Sequence, residues 1–84
     1  MTLPHPQADD LLAKCEAYEA GQLSLPELRA AVGEAGAAAD GELRDSLAGA
    51  KSSLESIEEG SEGEREEAEP IVAEAAQALR DYLP

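Results

Sequence analysis

The sequence has few aromatic residues, a single cysteine and little positive charge. It contains no Phe and no Trp among its 84 residues, and Tyr18 and Tyr82 are its only tyrosines. Cys15 stands alone, so the chain cannot form the internal disulfide framework that stabilises many small secreted domains. A chain this short also buries a smaller fraction of its surface than a larger protein does. We therefore expect a small stability margin and a fold that relies on aliphatic and alanine packing.

The scarcity of basic residues limits the classes of partner. Six Lys and Arg face nineteen Asp and Glu, which gives a net charge of −13 at pH 7. Because this charge repels phosphates, we expect no nucleic-acid ligand and no membrane surface, and we expect a basic protein partner instead. The sequence also lacks an apolar run long enough to cross a bilayer and an N-terminal secretion signal, so we expect a cytoplasmic protein.

Residue patterns that support catalysis are missing as well. The single histidine, His5, lies between two prolines, and Cys15 lies on an apolar helical stripe, so no nucleophile and base are paired. The segment 58–64 offers carboxylates and glycines without the ligand spacing of an EF-hand loop. There is no phosphate-binding glycine loop and no Cys/His metal spacing. We expect no enzyme, no catalytic residue, no metal site and no cofactor.

The longest helical pattern in the sequence runs from Asp40 to Gly60. Asp40 can cap the start of a helix, and Gly60 can end it. Its large apolar residues are spaced four, three, four and three apart when alanine is included, which places them on one helical stripe. These residues are Leu43, Leu47, Ala50, Leu54 and Ile57. The pattern predicts a helix over about 41–59.

A helix-turn-helix corner precedes this segment. Gly21 can end a first helix over about 8–20, and Ser24 and Glu27 have the spacing of a capping box. Pro26 lies in the first turn of the second helix, where its missing N–H does little harm. The short link predicts that the second helix, about 25–38, runs antiparallel to the first.

The start of the last helix is left open by the sequence. Ser61 and Glu64 repeat the capping-box spacing, whereas Pro70 disfavours a helix that runs through it. The last helix therefore spans either 64–83 or 70–83. No segment shows the alternation of a strand, so we predict an all-α fold, a small antiparallel bundle of four helices (8–20, 25–38, 41–59, 64/70–83). Residues 1–7 are predicted to be an extended lead-in to a single domain over 8–84.

One stretch, from Leu11 to Val32, carries a family resemblance. A helix that ends in Tyr-Glu-Ala-Gly is followed by Leu-Ser-Leu-Pro-Glu-Leu at 23–28. This stretch, about a quarter of the chain, resembles small acidic bacterial immunity proteins of the colicin-like, self-protective kind. The resemblance implies a helical inhibitor of a basic toxin. Most of the bulky aromatic residues common in such families are missing here, and no functional residue is carried over.

The strongest candidate for a binding surface is the acidic tract from Glu55 to Glu74, in which Arg65 is the only basic residue. Negative charge near the end of the predicted third helix opposes the helix dipole, so the sequence places acids where stability alone would favour Lys or Arg. The partner-binding residues that we predict are Glu55, Glu58, Glu59, Glu62 and Glu66. The alternative is a solvated face that only maintains solubility.

Two further alternatives concern the whole chain. Alanine-rich faces and a thin core are compatible with a self-associating structural or adaptor module, in which a homodimer completes the packing. High charge with few large apolar residues is also typical of chains that fold only on a partner. The alanines in question are Ala30, Ala31, Ala35, Ala73, Ala75, Ala76 and Ala78.

Overall fold

Four α-helices account for most of the chain in the computed structural model, which describes residues 3–83. They are α1 (His5–Glu19), α2 (Leu25–Ala38), α3 (Gly41–Glu55) and α4 (Glu64–Tyr82). No strand occurs within the described range. The predicted all-α fold of four helices is confirmed.

The helices form a closed ring in which each one packs against two neighbours, in the order α1, α2, α3, α4 and back to α1. Neighbouring helices are antiparallel: Gly36 near the end of α2 faces Leu47 in the middle of α3, and Tyr18 at the end of α1 contacts Glu64 at the start of α4. The C-termini of α1 and α3 and the N-termini of α2 and α4 therefore lie at one end of the bundle. The connection between α3 and α4, residues 56–63, lies at this end and is called the acidic loop below.

The core is entirely apolar among the residues that the structure describes, with no buried polar or charged side chain. The stripe predicted for α3 is buried as expected, and Ile57 joins it from the acidic loop. Small residues let the helices approach closely. A Cβ built on Gly36 of α2 would lie 3.5 Å from the Leu47 Cβ, which is ordinary van der Waals contact. Close backbone approach thus replaces the bulky aromatic side chains that the sequence lacks.

The predicted lead-in over residues 1–7 is too long, because α1 already begins at His5. Pro4 is its N-cap, and the Pro4 carbonyl accepts the N–H groups of Gln7 and Ala8 at 3.1 and 3.0 Å. Pro6 lies in the first turn, where a helix does not need its N–H. Leu3 is buried in the core. The remainder of the predicted lead-in, residues 1–2, lies outside the described part of the chain.

The predicted end of α3 at residue 59 is also wrong, because the helix stops at Glu55. The Ser56 hydroxyl donates to the Ser53 carbonyl at 2.7 Å, and the Ile57 N–H bonds the Leu54 carbonyl in a tighter turn. This turn directs Ile57 into the core. Successive glutamates at 55, 58 and 59 would oppose the dipole of a longer helix, which gives a physical reason for the early stop.

The open question at Pro70 is answered in favour of the longer helix. α4 begins at Glu64 and contains Pro70 in its interior, on the exposed side. Its N-cap is Gly63, so Ser61 does not fill the predicted capping role. At α2 the N-cap is Ser24, as the spacing predicts, but its side chain makes no capping hydrogen bond. Pro26 has removed one of the N–H groups that such a side chain would accept.

Candidate functional site

The structure brings all five predicted partner-binding glutamates to the same end of the bundle. Glu55 is the last residue of α3, Glu66 lies in the first turn of α4, and the other three lie in the acidic loop. All five are exposed. Glu58 and Glu59 lie outside α3, so they do not oppose its dipole as the sequence led us to expect.

Glu55 differs from the other four because a cation lies beside it. Its carboxylate is 3.7 Å from the ammonium of Lys51, one turn earlier in α3, and both side chains are more than half exposed. A pair of this kind contributes only about 0.3–0.5 kcal/mol to stability. Glu58, Glu59, Glu62 and Glu66 therefore make up the more strongly negative part of the surface.

The acidic loop is held in place by its own short contacts. Ile57 is only 5% exposed and anchors the start of the loop in the core. The Ser61 hydroxyl donates to the Glu58 carbonyl at 2.8 Å, and the Ser61 N–H bonds the same oxygen at 3.3 Å. Gly60 has φ +80°, a conformation that strongly favours glycine. These contacts fix the backbone of the loop and leave its glutamate side chains directed to solvent.

Glu64 connects this loop to α1. Its carboxylate accepts the Gly60 N–H at 3.1 Å through Oε1 and the Tyr18 hydroxyl at 2.9 Å through Oε2. These two hydrogen bonds favour the ionised form and lower the pKa of Glu64. Burial of Tyr18, followed by its hydrogen bond to this carboxylate, raises the pKa of Tyr18 to about 12. One glutamate of the tract thus has a structural role that its neighbours do not share.

Arg65 is a structural residue that the sequence patterns did not reveal. α1 ends in a Schellman motif, with Gly21 at φ +79°. The Arg65 Nη2 donates to the carbonyls of Tyr18 and Glu19 at 3.1 and 2.7 Å, and its Cζ lies 5.6 Å from the centre of the Tyr18 ring. A signal was present in the sequence, since Arg65 is the only basic residue in a tract of nine glutamates. The guanidinium of Arg65 therefore binds the carbonyls at the end of α1.

The remaining candidate side chains lie apart from this end. His5 packs edge-on against the Tyr82 ring at 5.5 Å between ring centres. Cys15 is buried, and burial together with the nearby charges of Glu19 and Glu16 raises the pKa of its thiol to about 11. His5 and Cys15 are ten residues apart on α1, about 15 Å along its axis. Within residues 3–83, no group of three His, Cys, Asp or Glu is placed to hold a metal ion.

The alanines that suggested self-association are mostly used inside the chain. Three of them are buried in the core and two more pack against it, which leaves two exposed. The buried ones are Ala35, Ala75 and Ala76, the partly buried ones are Ala31 and Ala78, and the exposed ones are Ala30 and Ala73. A continuous alanine face for a second copy is therefore not present among these residues.

The site is the strongly acidic end of a four-helix bundle, where hydrogen bonds and the buried Ile57 hold the loop backbone. No protein-family model, no curated protein and no solved structure matches this chain. None of the helices within the described residues has both the length and the apolar character needed to cross a membrane.

Proposed function

We propose that this chain is a non-enzymatic binding protein whose acidic end engages a basic protein partner, in the manner of an immunity- or antitoxin-type inhibitor. The surface consists of Glu58, Glu59 and Glu62 in the acidic loop, with Glu55 and Glu66 at the adjoining helix ends. A surface of this charge speeds the encounter with a basic partner and disfavours acidic competitors.

One observation carries this proposal: the loop backbone is fixed by contacts that do not use the exposed glutamates. Ile57, Ser61 and Glu64 hold the loop, whereas Glu58, Glu59 and Glu62 point to solvent. A loop that served only solubility would not need such fixation. Preorganised charge reduces the entropy that is lost on binding and raises affinity without any additional contact.

The resemblance of residues 11–32 to immunity proteins agrees with this proposal. The stretch forms most of α1, the corner and the first half of α2. The end of α1 supplies Tyr18 and the carbonyls that Glu64 and Arg65 bind. In this proposal the stretch positions the acidic end and does not contact the partner through residues of its own.

The test is affinity capture from an extract of the source cells with three forms of the protein. The first is the wild type, and the second carries Glu58→Gln and Glu59→Gln. The third carries Asp9→Asn and Glu34→Gln at two exposed acids on α1 and α2. These two substitutions remove the same amount of charge from another part of the surface. We expect the wild type and the third form to retain a basic protein at low salt, and the second form to lose it.

Salt then checks the physical basis of the interaction. At about 1 M salt the Debye length falls to about 3 Å, so a complex steered by charge should be released. The captured protein is then assayed for an activity that the wild type inhibits. Equal capture by all three forms, or capture that is unaffected by salt, would refute the proposal.

A further inference from the structure

A second surface lies along the seam between α3 and α4. Two cavities of about 380 and 320 Å³ follow one another there and share Ser46 in their walls. Together they make a groove that runs along α3 from Glu42 to Ser53, about 17 Å at 1.5 Å per residue. This length equals three turns of an α-helix. The groove lies beside the acidic loop and extends away from it.

Small residues make this groove, and the core is most accessible at its floor. Ser46, Gly49 and Ser53 form the α3 wall, and a Cβ built on Gly49 would meet no atom within 4 Å. Leu43 and Ala50 are 7% and 8% exposed, the highest values among the buried hydrophobic residues, and both line the groove. The floor is therefore apolar, and the core lies directly beneath it.

The charges around the groove all have the same sign. Glu42 and Asp45 line it from α3, and Glu74 and Asp81 line it from α4. None of the described residues in its walls is basic. The groove on the other side of α3, against α2, is instead lined by Arg44 and Lys51, among other residues.

The seams that involve α1 contain basic residues as well. Lys14 lines the cavity between α1 and α2. Arg80 lies 3.9 Å from Glu16 across the seam between α1 and α4, and Arg65 lines a cavity in the same seam. Basic residues thus partly offset the negative charge at the α1/α2, α2/α3 and α1/α4 seams. The walls of the α3/α4 groove contain no basic residue among those that the structure describes.

We propose that the α3/α4 groove binds a basic amphipathic helix of about three turns, supplied by the partner. An apolar side chain of that helix occupies the space above Gly49 and Ala50, and its Lys or Arg side chains pair with Asp45 and Glu74. Charge complementarity selects this occupant, because the acidic walls repel a nucleic acid and a second copy of this chain carries a net charge of −13. The inference rests on the proposed function, since both require a basic protein partner.

The probe is a synthetic helical peptide of Lys, Ala and Leu, with leucines on one face and lysines beside them. The control peptide replaces each Lys with Gln. Binding to the ¹⁵N-labelled protein is followed by amide chemical shifts and by titration calorimetry. We expect the Lys peptide to shift amides within residues 42–53 and 71–82, and the Gln peptide to bind at least tenfold more weakly.

Two variants test the groove itself. Gly49→Leu places a side chain in the groove at a helical position where a Cβ meets no atom within 4 Å, and it should weaken peptide binding at least tenfold without loss of the fold. The double variant Asp45→Asn, Glu74→Gln should weaken peptide binding by a similar factor. Both substitutions keep the size of the side chain, so they disturb the packing less than Gly49→Leu does. Circular dichroism confirms that each variant is folded before binding is measured.

The outcomes separate this inference from the proposed function. Shifts confined to residues 55–66, or unchanged binding by Gly49→Leu and by the charge pair, would overturn the groove while leaving the acidic end in place. Peptide binding in the groove together with unimpaired partner capture by the Glu58→Gln, Glu59→Gln form would support the groove and refute the role proposed for the acidic end. Groove shifts that depend on protein concentration without peptide would assign the groove to a second copy and overturn the inference.

Discussion

Replacement of Arg65 by methionine tests whether this arginine, in the first turn of α4, holds the acidic end to the C-terminus of α1. The change keeps most of the apolar stem and removes the guanidinium that bonds the Tyr18 and Glu19 carbonyls at 3.1 and 2.7 Å. The first of these hydrogen bonds is partly buried, and the second is exposed. We expect α1 to fray at its C-terminus and α4 to lose its attachment there.

The expected magnitude follows from three contributions. Hydrogen bonds from a charged donor stabilise by about 1.5–3 kcal/mol when shielded, and exposure reduces this to about 1 kcal/mol for the two together. A cation at a helix C-terminus adds about 0.3–1 kcal/mol, and its contact with the Tyr18 ring adds about 0.5 kcal/mol. The sum is about 2 kcal/mol, which corresponds to a decrease in Tm of about 10 °C for a domain of this size.

The assay is urea unfolding followed by circular dichroism, with Arg44→Met as the matched control. Arg44 lies in the first turn of α3 and is exposed, so its replacement removes the same charge and should change the free energy of unfolding by less than about 0.5 kcal/mol. Measurement at about 1 M salt screens the general charge effect. If Arg65→Met and Arg44→Met then unfold at the same urea concentration, the attachment that we describe does not contribute to stability.

Three further predictions concern the loop, the tyrosine and the thiol. Gly60→Ala should destabilise by about 1 kcal/mol because its φ is +80°, whereas Gly49→Ala should stabilise by about 0.5–1 kcal/mol, and thermal melts of both variants check the opposite signs. Tyr18 keeps its proton longer in the folded state, so stability should fall as the pH rises from about 10 to about 12, and alkaline melts of Tyr18→Phe should lack this component. Cys15, with a thiol pKa of about 11, should react with a disulfide reagent at pH 8 at least about 100-fold more slowly in the native than in the urea-unfolded protein.

The fold could be predicted well because its signals are local. The stripe of α3 and the corner at Gly21 depend on spacing, caps and glycine, which a sequence displays directly. The errors lie at helix ends, where tertiary contacts decide. α3 stops early because Ile57 turns into the core, and α1 starts early with Leu3 buried ahead of it. Periodicity places Ile57 on the buried stripe but does not show the turn that brings it there, and it gives no sign that Leu3 is buried.

The candidate site could be located from the sequence but not constructed from it. The cluster of glutamates is visible in the sequence itself, since nine of them lie from Glu55 to Glu74, and eight of these are exposed. The structural role of Glu64, which its neighbours do not share, does not follow from the sequence. It depends on the position of Tyr18, which is 46 residues away in the chain. The attachment by Arg65 was missed for the same reason. The α3/α4 groove likewise exists only once the two helices are packed together.

Under the proposed function, the distribution of charge links the stability of the fold to the binding of a basic partner. A net charge of −13 on a small domain destabilises the compact state through self-repulsion, and the basic residues of three seams relieve part of it. The acidic loop and the α3/α4 groove keep their excess negative charge and adjoin each other. A basic ligand that covers both would remove the remaining repulsion, so its binding free energy would also appear as added stability of the fold. Added salt should therefore raise the Tm of the protein alone. At low salt the Lys peptide should also raise Tm, and this rise should be smaller for the Gly49→Leu variant. If the peptide left Tm unchanged at concentrations that saturate the groove, the link between unrelieved charge and partner binding would be broken.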